Sequence, residues 1–275
     1  MIVARRSDYA VGPALLLVPM PSLSIVILTR NEALNIVDCV RSARFADEVL
    51  VLDSGSTDGT PDLARAEGAK VTVSADWPGF GPQKNRVLAQ ASGDWVFSLD
   101  ADERITPALR ESIVAAVAAP SGKVGFHVDR TSSYCGQVIR HSGWSPDWVL
   151  RLFRRDSGRF SDDLVHERVV VQGPTGRLAG DLLHDSMPTL ESVVDKINRY
   201  STAGAQMLVD RGRRASMGQA LSHGAWAFFR TYVLRRGFLD GSLGLALAIS
   251  NAEGTYYRYL KAWLAQRGVD ARSQP

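Results

Sequence analysis

The chain has 275 residues, 45% of them hydrophobic and 22% charged, proportions that fit a folded globular protein and exclude disorder over most of its length. Two cysteines, Cys39 and Cys135, with no CxxC pair exclude a disulfide scaffold and a cysteine zinc site, and fit a reducing cytosol. The net charge of +3 is uneven: residues 1–195 carry 20 Lys/Arg against 25 Asp/Glu, and residues 196–275 carry 12 against 4. A basic C-terminal segment on an acidic body suggests an anionic partner, either nucleic acid or acidic lipid.

Residues 1–22 read as a leader expected to be disordered. Its apolar part, centred on Ala14–Val18, is short and interrupted by prolines, which argues against a signal peptide and leaves Met20 as an alternative start. No run reaches the roughly 18 apolar residues of a spanning helix. From Leu23 strands and helices alternate. Leu23–Leu28 is an apolar, β-branched strand, and Thr29 or Asn31 caps a helix with Leu34, Ile36, Val37 and Val40 at helical spacing. Glu48–Asp53 is a second strand, Thr57 or Asp58 opens a helix through Pro61, Leu63 and Ala64, and Lys70–Val73 is a weaker strand. Gln83–Gln90 reads as helix after a glycine-rich loop, Gly79–Pro82; Asp94–Asp100 reads as strand; Thr106 and Pro107 start a helix through Val117. Shorter strands follow at Val124–Asp129, Val149–Phe153 and Arg168–Val171, and the chain from about 189 onward looks helical. This order predicts an α/β fold, a mostly parallel sheet flanked by helices over 23–188, with a helical basic extension over 189–275.

In such sheets ligands bind beyond the carboxyl ends of the strands. Two strand ends there are rich in oxygen donors. Asp53-Ser-Gly-Ser-Thr-Asp-Gly-Thr60 offers a carboxylate, hydroxyls and free N–H groups to a nucleotide base, or is an ordinary capped turn. Asp100 and Asp102, two apart, could point the same way in extended geometry and offer hard donors to Mg²⁺ or Mn²⁺, or form a solvated acidic turn.

Taken in order, Ile25–Glu32, Asp53–Thr60, Lys84-Asn85 and Gly93–Glu103 resemble the inverting family 2 glycosyltransferases, whose GT-A fold is a Rossmann-like domain that binds nucleoside diphosphate sugars. Arg151-Leu-Phe153, Leu164-Val-His-Glu167 and Gly237–Gly241 are similar to the branch that adds a sugar, often glucose, to the lipopolysaccharide inner core. The resemblance implies Thr29 and Asp53 at the nucleotide base with Arg30 or Glu32 nearby, Asp100 near the ribose and metal, and Asp102 as principal metal ligand. Lys84 would reach diphosphate or acceptor, or be a solvated helix lysine; Asn85 reads as a packing or hydrogen-bonding position. Glu167 is the implied catalytic base, with His166 as rival because imidazole titrates near neutrality, and Asp162 and Asp163 as weaker candidates. His184 lies near the diphosphate or is structural, and Arg151 is a further candidate.

In the C-terminal segment, Trp226, Phe228, Phe229 and Tyr232 alternate with Arg230, Arg235 and Arg236, and Tyr256–Tyr259 and Trp263 with Arg258 and Lys261. That composition fits helices lying on an anionic membrane, against a helical pair merely packed on the catalytic domain; no nucleic-acid module accompanies the charge. The expected activity is metal-dependent transfer of a sugar from a nucleotide-sugar donor, a UDP-sugar, to a lipid-linked saccharide at the inner face of the cytoplasmic membrane. A non-catalytic scaffold and a nucleotidyltransferase are the rival readings.

Overall fold

The computed structural model describes residues 21–161 and 168–269. In chain order the elements are β1 (Leu23–Thr29), α1 (Ile36–Ala43), β2 (Glu48–Asp53), α2 (Thr60–Ala66), β3 (Lys70–Val73), α3 (Phe80–Leu88), β4 (Trp95–Asp100), β5 (Glu103–Ile105), α4 (Pro107–Ala118), β6 (Gly125–Tyr134), β7 (Gln137–Val138) and β8 (Trp148–Arg154). They continue with β9 (Gly158–Phe160), β10 (Val169–Val171), β11 (Thr175–Met187), α5 (Leu190–Asp210), α6 (Met217–Phe229) and α7 (Gly241–Ala265). One sheet runs β3-β2-β1-β4-β8-β6-β11-β5, with β7 on β6, and β9 pairs with β10 in a separate hairpin. β3, β2, β1 and β4 are mutually parallel; β8 is antiparallel to β4 and to β6, β6 is parallel to β11, and β5 is antiparallel to β11. This is the expected α/β architecture, with an antiparallel extension on the β4 side.

β1, β2 and β4 are apolar on both faces because helices cover both, whereas β3 at the edge is largely exposed. Ile25, Ile27, Trp95, Phe97 and Leu99 face one core with Ile36, Val40, Leu109 and Ile113 from α1 and α4. The alternate residues Val26, Leu50, Leu52 and Val96 face a second core with Val87 and Leu88 of α3, Phe153 and Phe160. Between β1 and β4 the chain order switches sides, β2 lying on one side of β1 and β4 on the other, which opens a crevice at the carboxyl ends of these two strands.

Three local expectations are corrected. Gly79–Pro82 is not a loop before α3: Gly81 and Pro82 lie in its first turn, where the N–H that proline lacks needs no intrahelical acceptor. α1 starts at Ile36, because Asn31 takes a left-handed φ of 55° and turns the chain, leaving Leu34 97% exposed. The longest strand, β11, was not expected; it is polar, and its register shifts twice against β6.

The C-terminal helices pack on a third core of Tyr134, Ile139, Val193 and Leu247. α6 leads through a π-helical turn, Arg230–Leu234, and a 3₁₀ turn, Gly237–Asp240, into α7. At that junction the buried Asp240 carboxylate accepts hydrogen bonds from Arg140 N, His141 N and Ser142 Oγ at 2.8–3.1 Å, and contacts His141 Nδ1 at 3.0 Å. Ser142 N donates back to Arg235 O. Among the described residues no helix is long and apolar enough to cross a membrane.

Candidate functional site

The loops after β1 and β2 are knitted into one rim. Asn31 N donates to Ser56 Oγ at 2.7 Å, Thr57 N to Asn31 Oδ1 at 2.9 Å, Glu32 N to Thr60 Oγ1 at 2.9 Å and Ala33 N to Asp58 Oδ2 at 3.0 Å. Asp53, fully buried, organises its own turn: Oδ1 accepts from Gly55 N and Ser56 N at 3.0 and 2.8 Å, and Oδ2 from Ser56 Oγ. Thr29 is buried beside it, and its hydroxyl has no hydrogen-bond partner among the described residues. Arg30 is exposed at the rim. Glu32 accepts from Asn35 Nδ2 at 2.9 Å; burial, with Asp102 and Asp58 nearby, nevertheless pushes its carboxyl up.

Asp100 and Asp102, expected to share a direction, have different partners, because β4 ends at Asp100 and a turn through Ala101 and Asp102 leads into β5. Asp100 accepts from Lys84 Nζ at 2.8 Å and Arg151 Nη2 at 2.6 Å. Burial alone would raise its pKa, but the two cations hold the carboxyl far below the usual range. The same Arg151 Nη2 donates at 2.5 Å to Glu103, whose side chain is fully buried and whose Oε2 also accepts from Asp100 N at 3.0 Å. Burial and the Asp100 charge push the Glu103 carboxyl up against the pull of Arg151, while Arg151 is itself raised because its two carboxylates outweigh burial.

Asp102 Oδ2 lies 3.3 Å from His184 Nε2, and His184 Nδ1 is held at 2.9 Å by Ser132 Oγ. The two arrive together because β5 and β11 pair with His184 opposite Glu103, and Asp185 N donates to Asp102 O at 2.9 Å. Lys196 of α5 stands close to this carboxylate with its ammonium on Ser186 O, and burial lowers its pKa. Among the described residues no three His, Cys, Asp or Glu side chains converge as a complete metal cage.

From this corner a cleft of about 1100 Å³ opens between the sheet and the C-terminal helices, with Lys84, Asp100 and Arg151 at one end. The hairpin strands β9 and β10 contribute Phe160 and Val169 to its wall. The proposed base Glu167 and its rival His166, with Asp162 and Asp163, lie outside the described residues.

The structure therefore brings Lys84, Asp100 and Arg151 into one cluster and Asp102 with His184 into another, and puts Thr29, Arg30, Glu32 and Asp53 around the β1–β2 rim. Asn85 is the hydrogen-bonding position expected of it, exchanging bonds with Phe160 N and O at 3.0 Å. Glu103 and the α5 face were missed. The available signal was Arg151 itself: an arginine inside the apolar run Trp148–Phe153 requires a buried carboxylate.

The chain is similar to known proteins in sequence. The pattern of Glycosyl transferase family 2 matches residues 24–171. The chain is 32% identical over 270 residues, 90% of its length and 96% of the relative's, to the lipopolysaccharide core biosynthesis glycosyltransferase LpsC of Rhizobium meliloti (strain 1021). It is 28% identical to an uncharacterized glycosyltransferase of Rickettsia typhi, over 88% of this chain and 87% of that one. Among solved structures it overlaps glucosyl-3-phosphoglycerate synthase from Mycobacterium tuberculosis, in complex with Mn²⁺, UDP-glucose and phosphoglyceric acid, at 30% identity and a TM-score of 0.37. That overlap spans 40% of this chain and 44% of the mycobacterial one. A family pattern that fills the sheet-forming half of the chain, and a relative alike almost from end to end, make the chain a member of glycosyl transferase family 2, a glycosyltransferase of GT-A type.

Proposed function

We propose that the protein transfers a sugar, glucose, from a UDP-sugar to a lipid-linked saccharide such as the lipopolysaccharide inner core, in a divalent-metal-dependent reaction that inverts the anomeric centre. The observation that carries this reading is the Asp102–His184 pair beyond the carboxyl end of β4, 3.3 Å apart, two residues along the chain from Asp100, which lines the cleft. A carboxylate oxygen and an imidazole nitrogen suit one divalent cation, and the Ser132 hydroxyl on Nδ1 fixes the ring as an outer-shell partner does. Asp102 and His184 would hold Mg²⁺ or Mn²⁺, which when bound supplies positive charge to the departing diphosphate. The likeness to LpsC supports a saccharide of the lipopolysaccharide core as acceptor, and the resemblance to the inner-core branch supports glucose.

The other groups have distinct tasks in this reading. The rim of Asn31, Asp53 and Ser56 presents a rigid edge for the nucleotide base, with Thr29, Arg30 and Glu32 around it. Lys84 and Arg151 fix Asp100 as an ionised acceptor beside the ribose. Glu167 takes the proton of the attacking hydroxyl, with His166 as its rival, and the β9 and β10 strands that flank their segment border the cleft. The base is a separate residue because a bound cation draws charge from its ligands and makes them weaker bases.

Peripheral attachment to the inner face of the cytoplasmic membrane is part of the same proposal. Between Asp210 and Asp240 there are six arginines and no Asp or Glu. Phe229, Val233, Leu234, Phe238 and Leu239, at the turn joining α6 to α7, are each 43–56% exposed, with Arg230, Arg235 and Arg236 exposed among them. Exposed apolar side chains with basic neighbours suit an anionic bilayer. Flotation with anionic vesicles should recover the protein at low salt, with a fraction resisting salt; a protein that stays in the soluble fraction refutes attachment.

The decisive experiment measures transfer from UDP-glucose with Mg²⁺ or Mn²⁺ added and with chelator. Asp102→Asn should lower transfer by about two orders of magnitude and abolish its metal response, since a neutral amide is a poor ligand for a hard cation. Glu167→Gln should keep donor binding and lose transfer by about 10²–10⁴-fold. Donor binding without turnover of any common nucleotide sugar would favour the scaffold reading.

A further inference from the structure

One face of α5 lines the cleft: Tyr200, Gly204, Met207, Leu208 and Arg211 recur every three or four residues. From Tyr200 to Arg211 the helix rises about 16 Å, which sets the length of this limb of the cleft. Its charge is one-sided. Arg168, Arg211 and Arg258 reach the lining from three elements, the residue before β10, the C-cap of α5, and α7. Among the described lining residues Asp100 is the one carboxylate. It is already held by Lys84 and Arg151. None of the three guanidinium groups has an ion pair or hydrogen bond among the described residues. Arg130, which also lines the cleft, is by contrast bound to Asp147 at 2.7 Å. Gly204 makes the arrangement possible: a Cβ there would stand 2.8 Å from Arg258 Nε, so the missing side chain lets Arg258 cross α5. Tyr200, 65% exposed, adds an aromatic surface on the same face.

We propose that this limb is the acceptor subsite and that it takes an acidic saccharide, one bearing carboxylate or phosphate groups, with Arg168, Arg211 and Arg258 recognising the anions. The proposal rests on the transferase reading above. Guanidinium forks match oxyanions with two parallel hydrogen bonds, and unneutralised cations on a concave wall focus an attractive field. A neutral sugar leaves all three arginines unanswered, which is the source of discrimination. The ring of the bound sugar has the Tyr200 face to lie against.

The test is calorimetric binding of trigalacturonate, glucose 6-phosphate, maltotriose and inorganic phosphate to the full-length protein at low salt. At least one acidic sugar should bind tenfold or more tightly than maltotriose, and which one does separates carboxylate from phosphate recognition. The double variant Arg211→Ala/Arg258→Ala should weaken that binding by roughly tenfold or more. Gly204→Ala, which displaces Arg258 without changing charge, should weaken it less. Arg213→Ala/Arg214→Ala, at exposed positions outside the lining, should leave it unchanged. If the double variant does not fold, the single variants Arg211→Gln and Arg258→Gln replace it. Equal affinity for acidic and neutral sugars, unchanged binding in the cleft variants, or inorganic phosphate binding as tightly as either acidic sugar overturns the proposal. Turnover of UDP-glucose by the unaltered protein is scored separately, so a failed transferase reading is told apart from a failed subsite.

Discussion

Two buried glutamates sit at opposite ends of the sheet and answer burial in opposite ways. Glu48, at the amino end of β2, accepts from Ser24 Oγ and Ser92 N at 2.7 Å, from Ser92 Oγ at 2.8 Å and from Lys70 Nζ at 2.9 Å. Burial opposes its charge, but these donors win and lower its pKa to about 2. Glu103, just past the carboxyl end of β4, must share Arg151 with Asp100, and burial wins, so its pKa is raised. Three neutral donors and one ammonium, each supplied singly, satisfy Glu48. A single arginine shared between two carboxylates leaves Glu103 uneasy, and it is at this end that the proposed metal ligand Asp102 lies.

The comparison is broken most severely at Arg151. Arg151→Met leaves Glu103 and Asp100 facing each other across a vacated buried position, and we expect a loss of about 3–5 kcal/mol, measured by urea unfolding. Arg151→Met/Glu103→Leu should recover much of it, since removing both partners abolishes the stranded charge. A single variant as stable as wild type would show that the cluster is not a unit.

Glu48→Gln should cost less, about 1–3 kcal/mol, and should leave donor turnover unchanged because the residue lies at the far end of the sheet. It also tests the pH signs. The folded pKa of Glu48 is depressed, so its contribution is fully present above about 4.5 and is lost as pH falls toward about 2. The raised pKa of Glu103 works the other way: its contribution is present below the ordinary glutamate value and fades as pH rises through the elevated one. Unfolding midpoints from pH 6 to 3 should therefore fall less steeply for Glu48→Gln than for wild type. An unchanged slope removes Glu48 from the acid limb.

The smallest effect is expected at the rim. Asn31→Gly keeps the left-handed φ of 55° but deletes the bond to Thr57 N, for about 1 kcal/mol by urea unfolding. Asn31→Ala should cost more than the glycine, because it adds the strain of an alanine at positive φ. An alanine variant as stable as the glycine one would mean that the rim relaxes.

The alternation of strand and helix up to Val117 is readable from sequence because β1, β2 and β4 are apolar on both faces and polar or glycine-rich turns separate them from the helices, with a Thr106 cap opening α4. β11 escapes that reading. Its sequence, Thr175–Met187, is mostly polar and bulged; Leu178 and Leu182 reach the main core, and strands pair with it on both sides. The glycine and proline of Gly79–Pro82 signal a loop, yet a helix's first turn tolerates both. At the site, Asp53, Asp100 and Asp102 are visible as strand ends. Arg151 meets Asp100 across 51 positions, and Ser132 meets His184 across 52; the pairing of β4 with β8 and of β6 with β11 makes them neighbours. The basic balance of the C-terminal segment is a matter of counting, but that three of its surroundings' arginines line one wall depends on how α5 and α7 cross.

The Asp240 junction has a mechanical consequence. One carboxylate grips three successive residues, Arg140, His141 and Ser142, at the place where the π-helical and 3₁₀ turns end. Gly237 seals the grip, since a Cβ there would meet Thr231 O at 2.8 Å and Ser142 Oγ at 2.9 Å. The apolar tip of the α6–α7 hairpin therefore cannot rock without pulling on the loop that follows β7. The junction acts as a locked wrist rather than a hinge; with the tip seated on a bilayer as proposed, the cleft mouth would be carried at one attitude and one height above it.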